Sequence, residues 1–167
     1  MLMGKVDGTT GGDHMIAAKA NDTDSRAERA ALVEDLSGQR IVAGDRELAA
    51  ALAEQVKIVS FLPGEDLLTQ GDESDHMIFV LRGCVDVVIG THVVASVPGS
   101  CLMGEMALFQ PKPIRSATVR ATELTVCAEL SAEAFKDLSK TYPLALRRMT
   151  DIIMERDPTA NLKNFTF

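Results

Sequence analysis

Between residues 57 and 130 the sequence alternates short runs of β-branched and apolar residues with turns that contain glycine. The turns recur at intervals of roughly ten residues, as in proteins built from many short strands. Glycine suits such positions because a tight turn often needs a positive φ angle, which costs glycine little. The pattern therefore predicts a β-sandwich or β-roll. The turn glycines are Gly64, Gly71, Gly83, Gly90 and Gly99.

Helical patterns flank this region on both sides. Apolar residues share one helical face over residues 24–36 and again over residues 46–55, which follow the capping residue Asp45. Ser131 opens a third helix, and a fourth helix with an apolar stripe is predicted over residues 143–156. The predicted fold class is mainly β with flanking helices. It is a β-roll, similar in outline to a double-stranded β-helix or jelly roll, with N-terminal helices and two C-terminal helices.

The chain divides into five predicted segments. The first, residues 1–22, is rich in Gly, Thr and Asp, and we expect a weakly ordered leader or an expression remnant there. The others are the N-terminal helical segment 23–56, the β-roll 57–130, the C-terminal helices 131–156 and the tail 157–167.

Composition restricts the class of protein. A chain of 167 residues with 46% hydrophobic and 25% charged residues fits one globular domain with flanking segments. Its formal net charge of −7 disfavours nucleic acid as a partner, since a phosphate backbone demands a basic surface. No apolar run approaches the roughly 20 residues that span a membrane, so we expect no direct membrane insertion.

The three cysteines, Cys84, Cys101 and Cys127, are an odd number and too widely spaced for a metal knuckle. Free thiols in a reducing compartment are the simplest interpretation. Because the N-terminus also lacks a signal-peptide pattern, we expect a cytoplasmic location, either as a soluble protein or as the cytoplasmic part of a membrane protein.

One stretch carries a specific chemical signal. It begins with Gly104-Glu105-Met106-Ala107-Leu108 and continues, after a Pro-Lys-Pro loop, with Arg115-Ser116-Ala117-Thr118-Val119. In the predicted strand of the second half, Arg115 falls on the same face as small apolar residues, so its guanidinium points inward and requires acceptors or an anion. The glycine turn before it offers free backbone N–H groups, which also favour an anion. Together the two halves predict a site for a buried phosphate ester.

This stretch resembles the phosphate-binding cassette of the cyclic nucleotide-binding domain family, in which a Gly-Glu-x-Ala-Leu turn precedes Arg-[Ser/Thr/Ala]-Ala-Thr-Val. The resemblance extends from about residue 45 to residue 156, and the cassette itself covers residues 104–118. It implies that Arg115 grips the exocyclic phosphate oxygens and that Glu105 accepts from the ribose 2′-hydroxyl. It also implies phosphate contacts from the turn around Gly104, through the N–H groups of Met106 and Ala107. The alternative for Arg115 is an internal ion pair with Glu105.

The sequence leaves alternatives for the choice between cAMP and cGMP and for the residues that contact the base. In the resembled family, a hydroxyl at the position of Ser116 reaches either the phosphate or a guanine amino group, so it excludes neither cAMP nor cGMP, and we favour cAMP. The final helix closes over the base in that family. Candidate residues for the base pocket or lid, for which core packing or solvated charges are the alternatives, are Val87, Val94, Leu102, Met103, Arg147 and Arg148.

Other classes of protein fit less well. A metal-dependent cupin needs clustered imidazoles, whereas His14, His76 and His92 lie far apart in the sequence. We find no nucleophile and base that pair for catalysis, and the residues after Arg156 are too few for a helix-turn-helix. We therefore expect no enzyme, no metal and no cofactor beyond the ligand.

The sequence predicts a sensor that binds cAMP, or alternatively cGMP, and moves its C-terminal lid helix when it binds. The helices before the roll either carry this signal onward or only cover one end of the roll. An effector domain or partner protein would read the signal. The competing hypothesis is a β-roll for protein–protein contact with a vestigial ligand site.

Overall fold

The computed structural model describes the backbone of residues 13–157 and the side chains from Ser25 onward. Residues 158–167 of the predicted tail and residues 1–12 of the predicted leader lie outside the described residues. The helices are α1 (Asp13–Ser37), α2 (Arg46–Ala53), α3 (Ala132–Thr141) and α4 (Pro143–Arg156), with a 3₁₀ helix at Glu105–Phe109. The strands are β1 (Lys57–Phe61), β2 (Asp66–Leu68), β3 (His76–Arg82), β4 (Cys84–Ile89), β5 (His92–Pro98), β6 (Cys101–Met103), β7 (Thr118–Ala121) and β8 (Thr125–Ser131).

The strands form two antiparallel sheets of four strands each. Their orders are β1-β8-β3-β6 and β2-β7-β4-β5. Apolar side chains of both sheets meet in one core cluster, to which the first sheet contributes Ile78 and Val80 and the second contributes Val85 and Val119. The predicted fold class, a mainly β roll with flanking helices, is confirmed.

The chain separates into two compact units, residues 1–32 and residues 33–167. In the first unit, the described residues are helical. The second unit contains the eight strands and the site described below. Within the described residues no helix is both long enough and apolar enough to cross a membrane.

Local capping signals place the helices that follow them. The Asp45 carboxylate accepts a hydrogen bond from the Leu48 backbone N–H at 3.1 Å, and the Ser131 hydroxyl does the same for Ala134 at 3.1 Å. Both caps satisfy N–H groups that a helix start leaves without intrahelical partners. By contrast, α1 begins at Asp13, well before the predicted start at residue 24. The intervening residues include good helix formers such as alanine and methionine, so the helix extends without an apolar stripe.

The region around the cassette differs from the prediction in two places. β6 was not expected, because its three residues are too few to show alternation. β7 begins at Thr118, so Arg115 precedes the strand instead of lying within it, next to an isolated bridge between Ile114 and Glu73. Thr118 is buried, and its hydroxyl is satisfied there by a hydrogen bond from the Gln70 N–H at 2.9 Å.

All three cysteines are free thiols, with Cys127 buried and Cys84 and Cys101 half-buried. Cys101 and Cys127 lie opposite Val80 on either side of β3. Burial raises the pKa of the Cys101 thiol to about 11 and that of Cys127 to about 12. Both thiols are therefore protonated at neutral pH and poor nucleophiles.

Candidate functional site

Arg115 lies just before β7, and its side chain is only 4% exposed. Its Nε donates a hydrogen bond to the Ser74 hydroxyl at 2.7 Å, and its Nη1 donates to the Gly104 carbonyl at 2.9 Å. Nη2 donates to the His76 carbonyl. These three bonds hold the guanidinium between the chain before β3 and the glycine turn after β6.

Each of these hydrogen bonds ends on a neutral oxygen, so the bonds do not neutralise the charge of Arg115. Burial lowers the pKa of Arg115, while the negative charges of Asp75 and Glu105 oppose the shift. An arginine nonetheless stays protonated in proteins. The arrangement is a fixed, buried cation with capacity for an anion.

Gly104 is the residue that allows the turn and the arginine to approach each other. Its φ angle is +82°, a conformation that residues with a side chain rarely adopt. A Cβ atom at this position would lie 2.7 Å from Nη1 of Arg115 and 3.2 Å from the His76 carbonyl oxygen. Both the backbone angle and the space therefore require glycine.

Glu105, the first residue of the 3₁₀ helix, is 1% exposed. Its Oε1 accepts a hydrogen bond from Nη1 of Arg156 at 2.6 Å. Arg156 is the last residue of α4, so this ion pair joins the end of the C-terminal helix to the cassette. The alternative predicted from the sequence, an ion pair between Glu105 and Arg115, is replaced by this one.

A cavity of about 480 Å³ opens beside these residues. Its volume lies within the range that small-molecule sites occupy, roughly 300–1,000 Å³. Polar groups come from Glu105, Arg115 and Ser116, and the apolar wall comes from the β4–β5 hairpin. Ligand pockets combine these two kinds of surface, with a few polar groups at one end and apolar side chains along the rest.

The predicted site residues separate into two groups. Those that line the cavity are Gly104, Glu105, Met106, Ala107, Arg115, Ser116, Val87 and Met103. The other four, Val94, Leu102, Arg147 and Arg148, lie elsewhere.

The structure explains why Val94 and Leu102 lie outside the cavity. Val94 is the extra residue at a β-bulge, where Val87 pairs with Ala95 but Val88 pairs with Val93, and it is exposed. Leu102 alternates with Met103 along β6, so it faces away from the cavity and contributes to a smaller one.

The two arginines lie on other parts of α4. Nη1 of Arg148 donates to the Val42 carbonyl at 2.8 Å and to the Ile41 carbonyl at 3.2 Å, which fixes α4 to the segment between α1 and α2. Arg147 is exposed. Neither side chain reaches the cavity lining in this structure.

Several cavity residues were missed from the sequence. They are Ile89, Ala95, Val97, Gln110, Ile114, Ala117, Val119, Arg156 and Asp157. Pairing across the hairpin gives the signal for Ala95, because a cross-strand partner of Val87 shares its face. No local pattern indicates Arg156, whose partner Glu105 is 51 residues away in the chain.

Within the described residues, no group of three or more His, Cys, Asp or Glu side chains is arranged to hold a metal ion. The site is instead one of hydrogen-bond donors and acceptors around a buried cation. The sequence matches the family model described as "Cyclic nucleotide-binding domain" over residues 58–142, the part that contains the cassette. The chain belongs to this family.

Similar proteins of the cyclic nucleotide-binding domain family include regulatory and effector proteins. The chain is 34% identical over 125 residues to the Pycsar effector protein BcPycTIR of Burkholderia cepacia, covering 74% of this chain and 41% of that protein. It is 33% identical over 112 residues to a cAMP-dependent protein kinase regulatory subunit of Dictyostelium discoideum, covering 62% of this chain and 34% of that one. The chain thus spans less than half the length of these relatives.

Solved structures of the same fold confirm the architecture. The structure titled "cAMP bound PfPKA-R (141-441)" superposes with a TM-score of 0.67 at 23% identity, covering 78% of this chain and 44% of that one. A C-linker/CNBHD structure of zELK channels superposes with a TM-score of 0.61 at 21% identity, covering 78% of this chain and 69% of that one.

Proposed function

We propose that this chain is a regulatory domain that binds a 3′,5′-cyclic nucleotide, with cAMP preferred over cGMP, and that binding moves α4. The observation that carries the proposal is the buried guanidinium of Arg115 in a cavity that also contains the Glu105 carboxylate. A cyclic nucleotide offers both complements, a phosphate anion and a sugar hydroxyl. The apolar hairpin wall then receives the base.

Arg115 is proposed to bind the two exocyclic phosphate oxygens, since a planar guanidinium matches such a pair. Backbone N–H groups of Met106 and Ala107 complete the phosphate shell. The Ala107 N–H donates to the Gly104 carbonyl at 3.3 Å, a long hydrogen bond that a phosphate oxygen can replace. Ser116 lines the same cavity and offers a hydroxyl to the phosphate or the base.

Movement of α4 is proposed because its end is part of the site. Arg156 binds the carboxylate that the sugar hydroxyl would use, and Asp157 also lines the cavity. A ligand can shift α4 only if it binds the two positions of the helix with different affinity. Competition for Glu105 supplies such a difference.

We propose further that the chain regulates and does not catalyse, and that its output is an attached domain or partner protein in the cytoplasm. The names of the relatives support a regulatory role, because they include a kinase regulatory subunit and effector proteins. Nucleic acid is not proposed as a partner, since the net charge is −7.

Calorimetric titration of the purified chain tests ligand binding. The apolar wall does not by itself select a purine, so cAMP, cGMP, cCMP and cUMP are titrated separately. Saturable binding strongest for cAMP is the expected result. Stronger binding of another base keeps the site and overturns the cAMP preference. No heat and no thermal shift with any of the four favours the protein-contact roll with a vestigial site.

Arg115→Ala tests the phosphate contact. Loss of a charge-assisted hydrogen-bond pair costs about 2–3 kcal/mol, which weakens binding roughly 30- to 150-fold. Arg120→Ala is the matched control, because Arg120 lies on β7, is exposed and pairs with Asp66 at 2.6 Å outside the cavity. Circular dichroism confirms that both variants are folded before titration. Retained affinity in a folded Arg115→Ala variant would show that phosphate binds elsewhere.

Hydrogen exchange tests the movement of α4. Amides of residues 144–153 are expected to exchange more slowly when the chain is saturated with ligand. Unchanged exchange at saturation would refute coupling to α4 while leaving ligand binding intact.

A further inference from the structure

The segment between α1 and α2 contains a buried polar side chain that is only half satisfied. Gln39 is 1% exposed, and its Nε2 donates to the Val80 carbonyl at 3.3 Å. Its Oε1 is buried without a hydrogen-bond partner. Buried acceptors in native proteins are nearly always paired with protein, water or an ion, so one without a protein partner can accept a hydrogen bond from an added donor.

A second, smaller cavity of about 60 Å³ lies at Gln39, with walls from Cys101 and Ile152. Arg156 lines this cavity and also the large one that contains Glu105. The small cavity exceeds the roughly 10–15 Å³ that one water molecule needs, so there is room for a polar group beside Gln39. Arg156 thus lies between a carboxylate that it binds and an acceptor that has no donor.

We propose that Arg156 is a two-position switch, which binds Glu105 in this structure and Gln39 when a cyclic nucleotide is bound. This inference rests on the proposed function. The sugar hydroxyl donates to the Glu105 carboxylate and competes with Arg156 for it. The guanidinium then turns into the small cavity and donates to Oε1 of Gln39.

The proposed exchange leaves each of the two acceptors with a donor. In this structure Arg156 satisfies Glu105, and the Gln39 acceptor has no partner among the protein atoms described. With ligand bound, the hydroxyl satisfies Glu105 and Arg156 satisfies Gln39. An arginine suits both positions because its guanidinium carries five donors and stays charged.

Movement of Arg156 would also affect the segment on the N-terminal side of the roll. Gln39 belongs to the segment that α4 already holds through two other contacts, the Arg40–Glu155 ion pair at 2.8 Å and the bond from Arg148 to the Val42 carbonyl at 2.8 Å. A new bond from Arg156 to Gln39 would draw the end of α4 toward this segment. Occupancy of the ligand site is thereby converted into a changed contact at residues 39–42.

Nuclear magnetic resonance of the wild-type chain tests the switch directly. The probes are the side-chain NH₂ signals of Gln39 and the Nε–H signal of Arg156, followed with cAMP and with 2′-deoxy-cAMP. The deoxy analogue keeps the phosphate and base but has no hydroxyl to offer Glu105. We expect cAMP to shift both signals and the saturating analogue to leave them near their ligand-free positions.

The outcomes separate this inference from the proposed function. If neither ligand binds, the proposed function is contradicted. If both ligands bind and neither shifts the Gln39 and Arg156 signals from their ligand-free positions, the switch is wrong and the proposed function stands. Identical large shifts with both ligands overturn the role of the sugar hydroxyl as the trigger, and with it the switch as stated.

Gln39→Met provides a second test, because methionine has a similar shape but no acceptor oxygen. Methionine also lacks the Nε2 donor, but the Val80 carbonyl keeps its hydrogen bond from the Ser100 N–H at 2.8 Å, so the loss of thermal stability is expected to be small. Its affinity for cAMP is expected to fall about tenfold, while that for 2′-deoxy-cAMP stays within twofold of wild type. Equal loss for both ligands would overturn the switch, since it would indicate a general packing effect.

Discussion

Replacing Gly104 by alanine tests whether Arg115 must stay where the structure places it. The substitution has two costs, which can be separated. The φ angle of +82° penalises any residue with a Cβ atom, by about 1–2 kcal/mol. The new Cβ would also lie 2.7 Å from Nη1 of Arg115, so the guanidinium has to move.

Gly64→Ala is the matched control for the first cost. Gly64 has a φ angle of +89°, and a Cβ atom there meets nothing within 4 Å. This variant is therefore expected to lose about 1–2 kcal/mol of unfolding free energy from strain alone. Its ligand affinity is expected to equal that of the wild type.

Gly104→Ala adds the displacement of Arg115, which breaks the bond from Nη1 to the Gly104 carbonyl. A hydrogen bond to a charged group contributes about 1.5–3 kcal/mol, so the total loss of stability is about 2.5–5 kcal/mol. We expect affinity for the cyclic nucleotide to fall at least tenfold, because the displaced guanidinium no longer meets the phosphate. Stability is measured by urea unfolding monitored by circular dichroism, and ligand affinity by calorimetric titration.

Comparing the two alanine variants tests whether the glycine turn confines Arg115. If Gly104→Ala is no less stable than Gly64→Ala and binds ligand as the wild type does, then Arg115 is not confined by the turn. The reasoning from the buried hydrogen bonds would then be wrong.

Stability and thiol reactivity offer three more tests. Asp45→Ala removes the cap of α2 and is expected to cost about 1 kcal/mol in urea unfolding, whereas Asp45→Asn retains most of it. Burial lowers the pKa of His76, so the stability that depends on its neutral imidazole should be fully present above the unfolded pKa of 6.5 and decline as the pH falls below it. Between pH 7.5 and 5, the unfolding free energy should therefore change less with pH in His76→Asn than in the wild type. Because the thiol pKa values of Cys101 and Cys127 are about 11 and about 12, both should react with a disulfide reagent at pH 8 only slowly until urea unfolds the chain.

The sequence predicted those features whose cause is local. A side-chain cap such as Asp45 acts three residues away, and a glycine such as Gly104 acts on its own backbone angle. Strand β4 fills the interval between Gly83 and Gly90, both predicted as turn glycines, so its bounds follow from those turns. Inward placement of Arg115 was also predicted, although the strand itself starts later, at Thr118.

Features that depend on tertiary contacts were not predictable in the same way. The exposure of Val94 follows from a bulge in the pairing of β4 with β5, which no single-strand pattern reveals. The pairing of Arg156 with Glu105 requires knowing where α4 ends relative to the cassette. The unpaired oxygen of Gln39 likewise becomes visible only when the packing around it is known.

The burial of Arg115 also determines how an anion would approach this chain. The formal net charge is −7, and the one cation proposed to meet the phosphate is 4% exposed, so the exterior repels the ligand that the interior attracts. Salt screens charges separated by more than about 8 Å at 0.15 M ionic strength, which weakens the exterior repulsion more than the buried contact. Added salt should therefore speed association with a cyclic nucleotide, the opposite of the slowing seen when an exposed basic patch captures an anion.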